Sequence, residues 1–162
     1  MPPTPPTADL SDAHDGLQYA EPMLVNFGGR ARFAGPITTV RVYEDNVLYE
    51  QALETAEPSS VVVVDGGGSL RCALMGDRLG RIAVDRELPG VVIHGCVRDT
   101  AELADLDVAI LALAPHPRKS GKQGNGERDV PVTFAGVIWT PGEWVYGDED
   151  GVLVSPFALP ES

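Results

Sequence analysis

The chain has 162 residues, 43% of them hydrophobic and 22% charged, with a net charge of −12. That length suits one domain with a real core, and no apolar run approaches the roughly 20 residues needed to span a bilayer. The acidic balance excludes direct nucleic-acid binding, which needs clustered Lys and Arg, but leaves room for an anionic substrate where a local arginine and a metal reverse the field.

Residues 1–7 (MPPTPPT) carry four prolines and are expected to be a disordered lead-in, with residues 8–162 as the single domain. They lack the charged and apolar regions of a secretory signal, so a cytoplasmic protein is expected. A short helix over 8–16 follows, with Thr7 as its cap. Ile37–Tyr43 alternates as a strand. Asp45-Asn46 offers a cap, and Val47, Leu48, Gln51, Ala52 and Thr55 have helical spacing, which predicts a helix over 46–57 ending at Pro58. Val61–Val64 is a continuous β-branched run, the pattern of a strand buried on both faces, and it enters the glycine loop Asp65–Ser69. A second helix is predicted over Asp77–Leu88, stopped by Pro89-Gly90. A strand over Val91–Ile93 ends at Gly95. Then come a short helix over Thr100–Leu106, a strand over Val108–Leu113 and a flexible polar loop over 115–129. Short β segments close the chain: Pro131–Phe134, Val137–Trp139, Trp144–Tyr146 and Val152–Val154. The order predicts an α/β domain with a partly parallel sheet, flanking helices and a second β layer.

In such folds, sites collect at strand carboxyl ends and helix N-termini. Gly76-Asp77-Arg78-Leu79 opens a helix whose first N–H groups lack intrahelical partners and so can hold a carboxylate. Arg98 offers a planar fork for a 2-oxo carboxylate, and Asp99 a hard oxygen for Mg²⁺ or Mn²⁺. Taken singly, Asp77 reads as an N-cap and Arg98-Asp99 as a cap with a surface ion pair. Together they converge on one sheet edge if the strands run parallel, and Asp77 could then hold a water of the metal.

Other motifs read as structure. The loop Asp65–Ser69 lacks the spacing of a nucleotide-binding loop and reads as a tight turn lining the cleft. His94 reads as a packed strand residue. Lys119 and Lys122 lie in a polar loop rather than the apolar pocket a Schiff base needs. Gly147–Gly151 lacks calcium-loop spacing and reads as a hairpin turn. Cys72 and Cys96 show no metal-site spacing and read as small buried residues without a disulfide.

Several motifs in order resemble the RraA-like family, which includes 4-hydroxy-4-methyl-2-oxoglutarate aldolases and regulators of RNase E activity. They are Glu21-Pro22, Asn26–Arg30, Val63–Ser69, Gly76–Leu79, Gly95–Asp99 and Asp148–Val152. The resemblance runs from about Asp9 to Leu159. It implies a swivelling β/β/α domain in a ring-shaped homotrimer, alone or stacked as a hexamer, with the active site between subunits. It also implies a class II aldolase that uses Mg²⁺ or Mn²⁺, releases pyruvate and decarboxylates oxaloacetate as a side activity. By that resemblance Gly76, Asp77, Arg78 and Leu79 bind the pyruvyl portion, Arg98 contacts the substrate and Asp99 ligates the metal. Arg98 and Asp77 are then the expected catalytic pair, with Asp77 acting through a held water.

The alternative from the same resemblance is a regulator that docks on RNase E or its associated helicases without chemistry. That branch lacks the acidic residue after the arginine and the Gly-Asp of the helix start. Both are present here.

Overall fold

The computed structural model describes residues 4–160. Among them a nine-stranded mixed sheet forms the backbone of the molecule. Its centre is parallel: Phe33–Arg41, Val61–Asp65, Gly90–His94 and Ala109–Ala112 lie side by side in that order. Antiparallel partners extend both flanks, with Trp144–Asp148, Gly151–Ser155 and Gln18–Tyr19 on one side and Val25–Asn26 on the other, and the ninth strand, Glu127–Arg128, pairs antiparallel with the end of Phe33–Arg41.

The valine run explains why the central strands are buried on both faces. Val62 and Val64 pack with Tyr49, Ala52, Leu53, Leu79, Ala83 and Leu103 of the helix layer. Val61 and Val63 point the other way, onto Phe134, Val137 and Trp139 of the hairpin Val132–Phe134/Val137–Trp139. A strand that alternates between two apolar layers has no position left for a polar residue. The helix layer holds Val47–Thr55, Asp77–Asp85 and Thr100–Leu103. A third small cluster seats the first helix, Thr7–Ala13, through Leu10 on Tyr146, Leu153 and Leu159.

The element boundaries depart from the sequence expectation in physically informative places. The predicted strand Ile37–Tyr43 is Phe33–Arg41. Gly35 and Pro36 hide its first half from a propensity reading. Pro36 stands where the strand passes from its antiparallel partner Trp144–Asp148 to its parallel partner Val61–Asp65. The first helix begins at Thr7 rather than after it. Thr7 does not cap; its N–H and hydroxyl both donate to the Asp148 carboxylate, each at 2.7 Å. Of the proline-rich lead-in, residues 1–3 lie outside the described residues. The helix from Asp77 ends at Asp85, because Glu87 takes a left-handed φ of 59°.

Six short strands are absent from the sequence reading: Gln18–Tyr19, Val25–Asn26 and Glu127–Arg128 in the main sheet, and three more that stand apart from it. Ala73–Met75, Cys96–Val97 and Ala114–Pro115 form a separate parallel sheet. Segments this short carry no periodicity to detect. Those of the separate sheet nevertheless place the site. No helix among the described residues is long and apolar enough to cross a membrane.

Candidate active site

Each strand of the small sheet delivers one wall of a cleft. Ala73–Met75 leads into Gly76 and the helix Asp77–Asp85, and Cys96–Val97 leads into Arg98-Asp99. The parallel pairing of Met75 with Val97 sets the two exits side by side, and the Arg98 N–H donates to the Met75 carbonyl at 2.9 Å. The two segments therefore converge as the sequence suggested, but on the small sheet rather than on the main one. Ala114–Pro115 leads into the segment 116–124, the third wall.

The cleft has a volume of about 100 Å³ and is lined by Asn46, residues 73–79, Arg98, Asp99, Lys119, Ser120 and Lys122. All six residues picked from sequence are in it. Its lining carries the cationic residues Arg98, Lys119 and Lys122 against Asp77 and Asp99, the Arg78 guanidinium being paired with Glu50 outside it. In a chain of net charge −12, this is a local reversal of sign that suits a small anion.

Gly76, not Asp77, occupies the N-cap position of the helix. The Asp77 N–H donates to Asp99 Oδ2 at 3.0 Å. A Cβ on Gly76 would lie 2.2 Å from that same oxygen, so only glycine lets the carboxylate reach the helix start. Asp99 is itself at the N-cap of Thr100–Leu103, in a left-handed conformation at φ 59° and ψ 41°. Its carbonyl accepts from Leu103, but its carboxylate makes no capping bond. The side chain is spent on the cleft rather than on its own helix.

The remaining side chains are partly committed. Asp77 Oδ2 pairs with Arg81 Nη2 at 3.2 Å, one helical turn on. Arg78 turns away to Glu50 at 2.5 Å, and that hydrogen bond holds the Glu50 carboxyl below its usual range. Arg78 thus contributes its backbone N–H at the helix start, while its guanidinium braces Val47–Thr55. Arg98 Nη1 lies 3.4 Å from the Pro117 carbonyl, and its other donors are uncommitted among the described residues.

Asn46, Ser120 and the two lysines were not picked as site residues from sequence. Asn46 reads as a helix cap, and the lysines lie in a segment expected to be flexible. That segment is pinned instead. The Gln123 and Gly124 N–H groups donate to the buried Asp45 carboxylate, and the Ala73 N–H donates to the Arg118 carbonyl at 2.7 Å.

The glycine loop lies outside this cleft. A Cβ on Gly67 would meet the Tyr43 ring at 2.7 Å, and one on Gly68 would meet His94 at 3.1 Å. Its glycines serve close packing. His94 stacks on Phe134 with ring centroids 4.8 Å apart. The two cysteines are free and buried. A larger groove of about 460 Å³, lined by Glu21, Asn26, Asp148, Glu149 and Asp150, has no cationic side chain in its lining and opposes a carboxylate ligand.

A family description reading "RraA-like: Aldolase/RraA" matches residues 7–154. The chain belongs to the RraA-like family. A Deinococcus radiodurans protein named "Putative 4-hydroxy-4-methyl-2-oxoglutarate aldolase" is 59% identical over 92% of this chain and 93% of its own length. A Burkholderia multivorans protein of the same name is 55% identical over 94% and 97%. Among solved structures, an RNA-processing inhibitor RraA from Thermus thermophilis superposes with a TM-score of 0.93 at 47% identity, covering 96% of this chain and 95% of that one. A Geobacillus kaustophilus protein described as S-adenosylmethionine:2-dimethylmenaquinone methyltransferase gives 0.94 at 51%, covering 96% and 97%. The fold is the RraA fold.

Proposed function

We propose that this protein is a divalent-metal-dependent lyase that cleaves 4-hydroxy-4-methyl-2-oxoglutarate to pyruvate and decarboxylates oxaloacetate as a side activity. The observation that carries this reading is the bond between the Asp77 N–H and Asp99 Oδ2. It sets a carboxylate, a guanidinium and a helix start around one positively biased cleft. The aldolase name borne by relatives at 59% and 55% identity supports it.

The donor set fits a hard cation. Among the described residues no group of three or more His, Cys, Asp or Glu side chains gathers, which disfavours a closed site of the zinc type. One carboxylate completed by water and substrate oxygens is how Mg²⁺ is commonly held. Asp99 would hold it, with Oδ2 kept in place by the Asp77 N–H. A bound cation would supply Lewis-acid polarisation of the 2-oxo group.

The chain's own groups then do the following. The first-turn N–H groups at Arg78 and Leu79 receive the substrate carboxylate. Arg98 stabilises the negative charge that develops on the 2-oxo oxygen as the C3–C4 bond breaks. The 4-hydroxyl gives up a proton, and C3 of the departing pyruvate takes one. Asp77, with Oδ1 outside its Arg81 pair, holds the water nearest that transfer.

The small volume of the cleft, against roughly 300 Å³ at the low end of ligand pockets, supports a site completed by a neighbouring subunit in a homotrimer or a hexamer. Light scattering tests this directly. The likeness to the Thermus inhibitor supports a second reading, docking on RNase E. Asp99, its carboxylate held at the helix start by the Asp77 N–H, favours chemistry. The lyase reading is tested by following pyruvate release from 4-hydroxy-4-methyl-2-oxoglutarate and oxaloacetate. No release with Mg²⁺ or Mn²⁺ present would sink it.

A further inference from the structure

The helix Val47–Thr55 gives up its natural cap. Asn46 occupies the N-cap position, where Asn is favoured because its side-chain oxygen accepts a first-turn N–H. Asn46 makes no such bond. The neighbouring Asp45 accepts from the Val47 N–H instead, at 3.1 Å. The Asn46 side chain is turned toward the cleft, in a residue only 8% exposed. Its Nδ2 donates to the Leu74 carbonyl at 3.0 Å, and its Oδ1 accepts from Lys122 Nζ at 3.1 Å. With its donor end fixed on the small sheet, the amide offers its oxygen in one direction.

Lys122 is fixed from its other end as well. Its loop is clamped by the N–H groups of Gln123 and Gly124 on Asp45. The Gly121 N–H adds a bond to the Glu44 carbonyl at 2.8 Å. Among the described residues no carboxylate lies within ion-pair distance of Lys122. Glu50 feels its charge but is bonded to Arg78. The partner of Lys122 is thus a neutral amide. An amide orients an ammonium without cancelling its charge, whereas a carboxylate would do both. The ammonium has three donors, and Asn46 engages one. A long, entropically costly side chain is thus oriented, without a carboxylate partner, in the lining it shares with Arg98 and Asp99.

We propose that Lys122, positioned by Asn46, binds the second carboxylate of a dicarboxylic 2-oxo acid, while the helix start and Arg98 hold the 2-oxo-acid end. The identity of the ligand rests on the lyase reading; the recognition itself does not need turnover. In 4-hydroxy-4-methyl-2-oxoglutarate the second carboxylate is on C4, so cleavage of C3–C4 leaves it on a second pyruvate, no longer joined to the one at the helix start. The pyruvate left at the helix start has no group for Lys122. Lys122 is therefore a specificity residue that favours a dicarboxylate, gripped at both ends at once, over pyruvate, which can be gripped at one end only.

The test uses the full chain with Mg²⁺ in the buffer, titrated calorimetrically with 2-oxoglutarate and with pyruvate. 2-Oxoglutarate carries both carboxylates but lacks the 4-hydroxyl, so it cannot undergo the cleavage. The wild type should prefer it by about tenfold or more, the scale of one hydrogen bond to a charged group. Lys122→Met should bring the ratio of the two affinities near one. Lys122→Arg should restore part of it, and Asn46→Asp, which adds a neutralising partner, should lower it. Thermal midpoints confirm that each variant is folded. The proposal is overturned if Lys122→Met weakens both ligands by the same factor or leaves the ratio unchanged. Absence of oxaloacetate turnover alongside a Lys122-dependent preference would remove the lyase reading and leave this subsite standing.

Discussion

Asp99 Oδ2 accepts the Asp77 N–H at 3.0 Å, so the residue that caps one helix is tied to the first residue of another. Gly76 makes that contact sterically possible, since a Cβ there would lie 2.2 Å from the same oxygen. Gly76→Ala should therefore push the carboxylate off the helix start. Displacements of about 1 Å at a reacting centre cost on the order of 100-fold. A comparable loss of kcat/KM is expected with near-wild-type circular dichroism. Unchanged turnover in a folded Gly76→Ala protein would show that the contact is dispensable.

The core makes an independent prediction about the scaffold. Leu53 is fully buried between the helix layer and the central strands. Leu53→Ala should cost about 2–5 kcal/mol, the transfer and cavity terms of a buried leucine. Urea unfolding measures this. A cost below about 1 kcal/mol would mean that the site collapses freely around the change.

Acid sensitivity should have a local origin at the Thr7 clasp. Burial opposes ionisation of Asp148, but hydrogen bonds from the Thr7 N–H and hydroxyl and from the Asp150 N–H outweigh it and hold the carboxyl below its usual value. A folded-state value below the unfolded one contributes stability that is present above the unfolded pKa and lost as pH falls through the folded one. The loss should begin near about pH 4, the ordinary aspartate range. Thr7→Val removes the hydroxyl bond, so its destabilisation should be visible at neutral pH and shrink toward pH 2. A pH-independent effect would show that Thr7 acts only through packing.

The cysteines should be inert in the folded protein. Burial pushes both thiols up, and Cys72 and Cys96 are 5% and 1% exposed. Thiolate is the reactive species, so alkylation at pH 7.5 should be slow in the native state and fast after denaturation. Rapid native labelling of either would contradict their packing.

The strong periodic signals were legible in the chain. Val61–Val64 declares a doubly buried strand, and the helix from Asp77 starts where the sequence places it. Gly76, Asp77, Arg98 and Asp99 could be named because chemistry-bearing residues stood at element boundaries. What brings them together could not be read. Ala73–Met75, Cys96–Val97 and Ala114–Pro115 are two or three residues each, too short for any period to register. Their pairing is tertiary. Asn46 was masked differently: an asparagine before a helix looks like a cap, and only the fold reveals that Asp45 accepts the Val47 N–H and frees the amide. Lys122 sits in a Gly-rich polar run whose order depends on one buried carboxylate, Asp45, nearly 80 residues earlier.

A lyase site organised by Asp99 makes turnover depend on both that carboxylate and a divalent cation. That dependence is tested most directly by pyruvate release from 4-hydroxy-4-methyl-2-oxoglutarate, wild type against Asp99→Asn, with Mg²⁺ or Mn²⁺ and with EDTA. Asparagine tolerates the left-handed backbone that Asp99 adopts, so the comparison isolates the charge. Release should need the metal, stop with EDTA and fall by at least about 100-fold in Asp99→Asn. Release that persists in EDTA, or that survives in Asp99→Asn, would contradict that dependence.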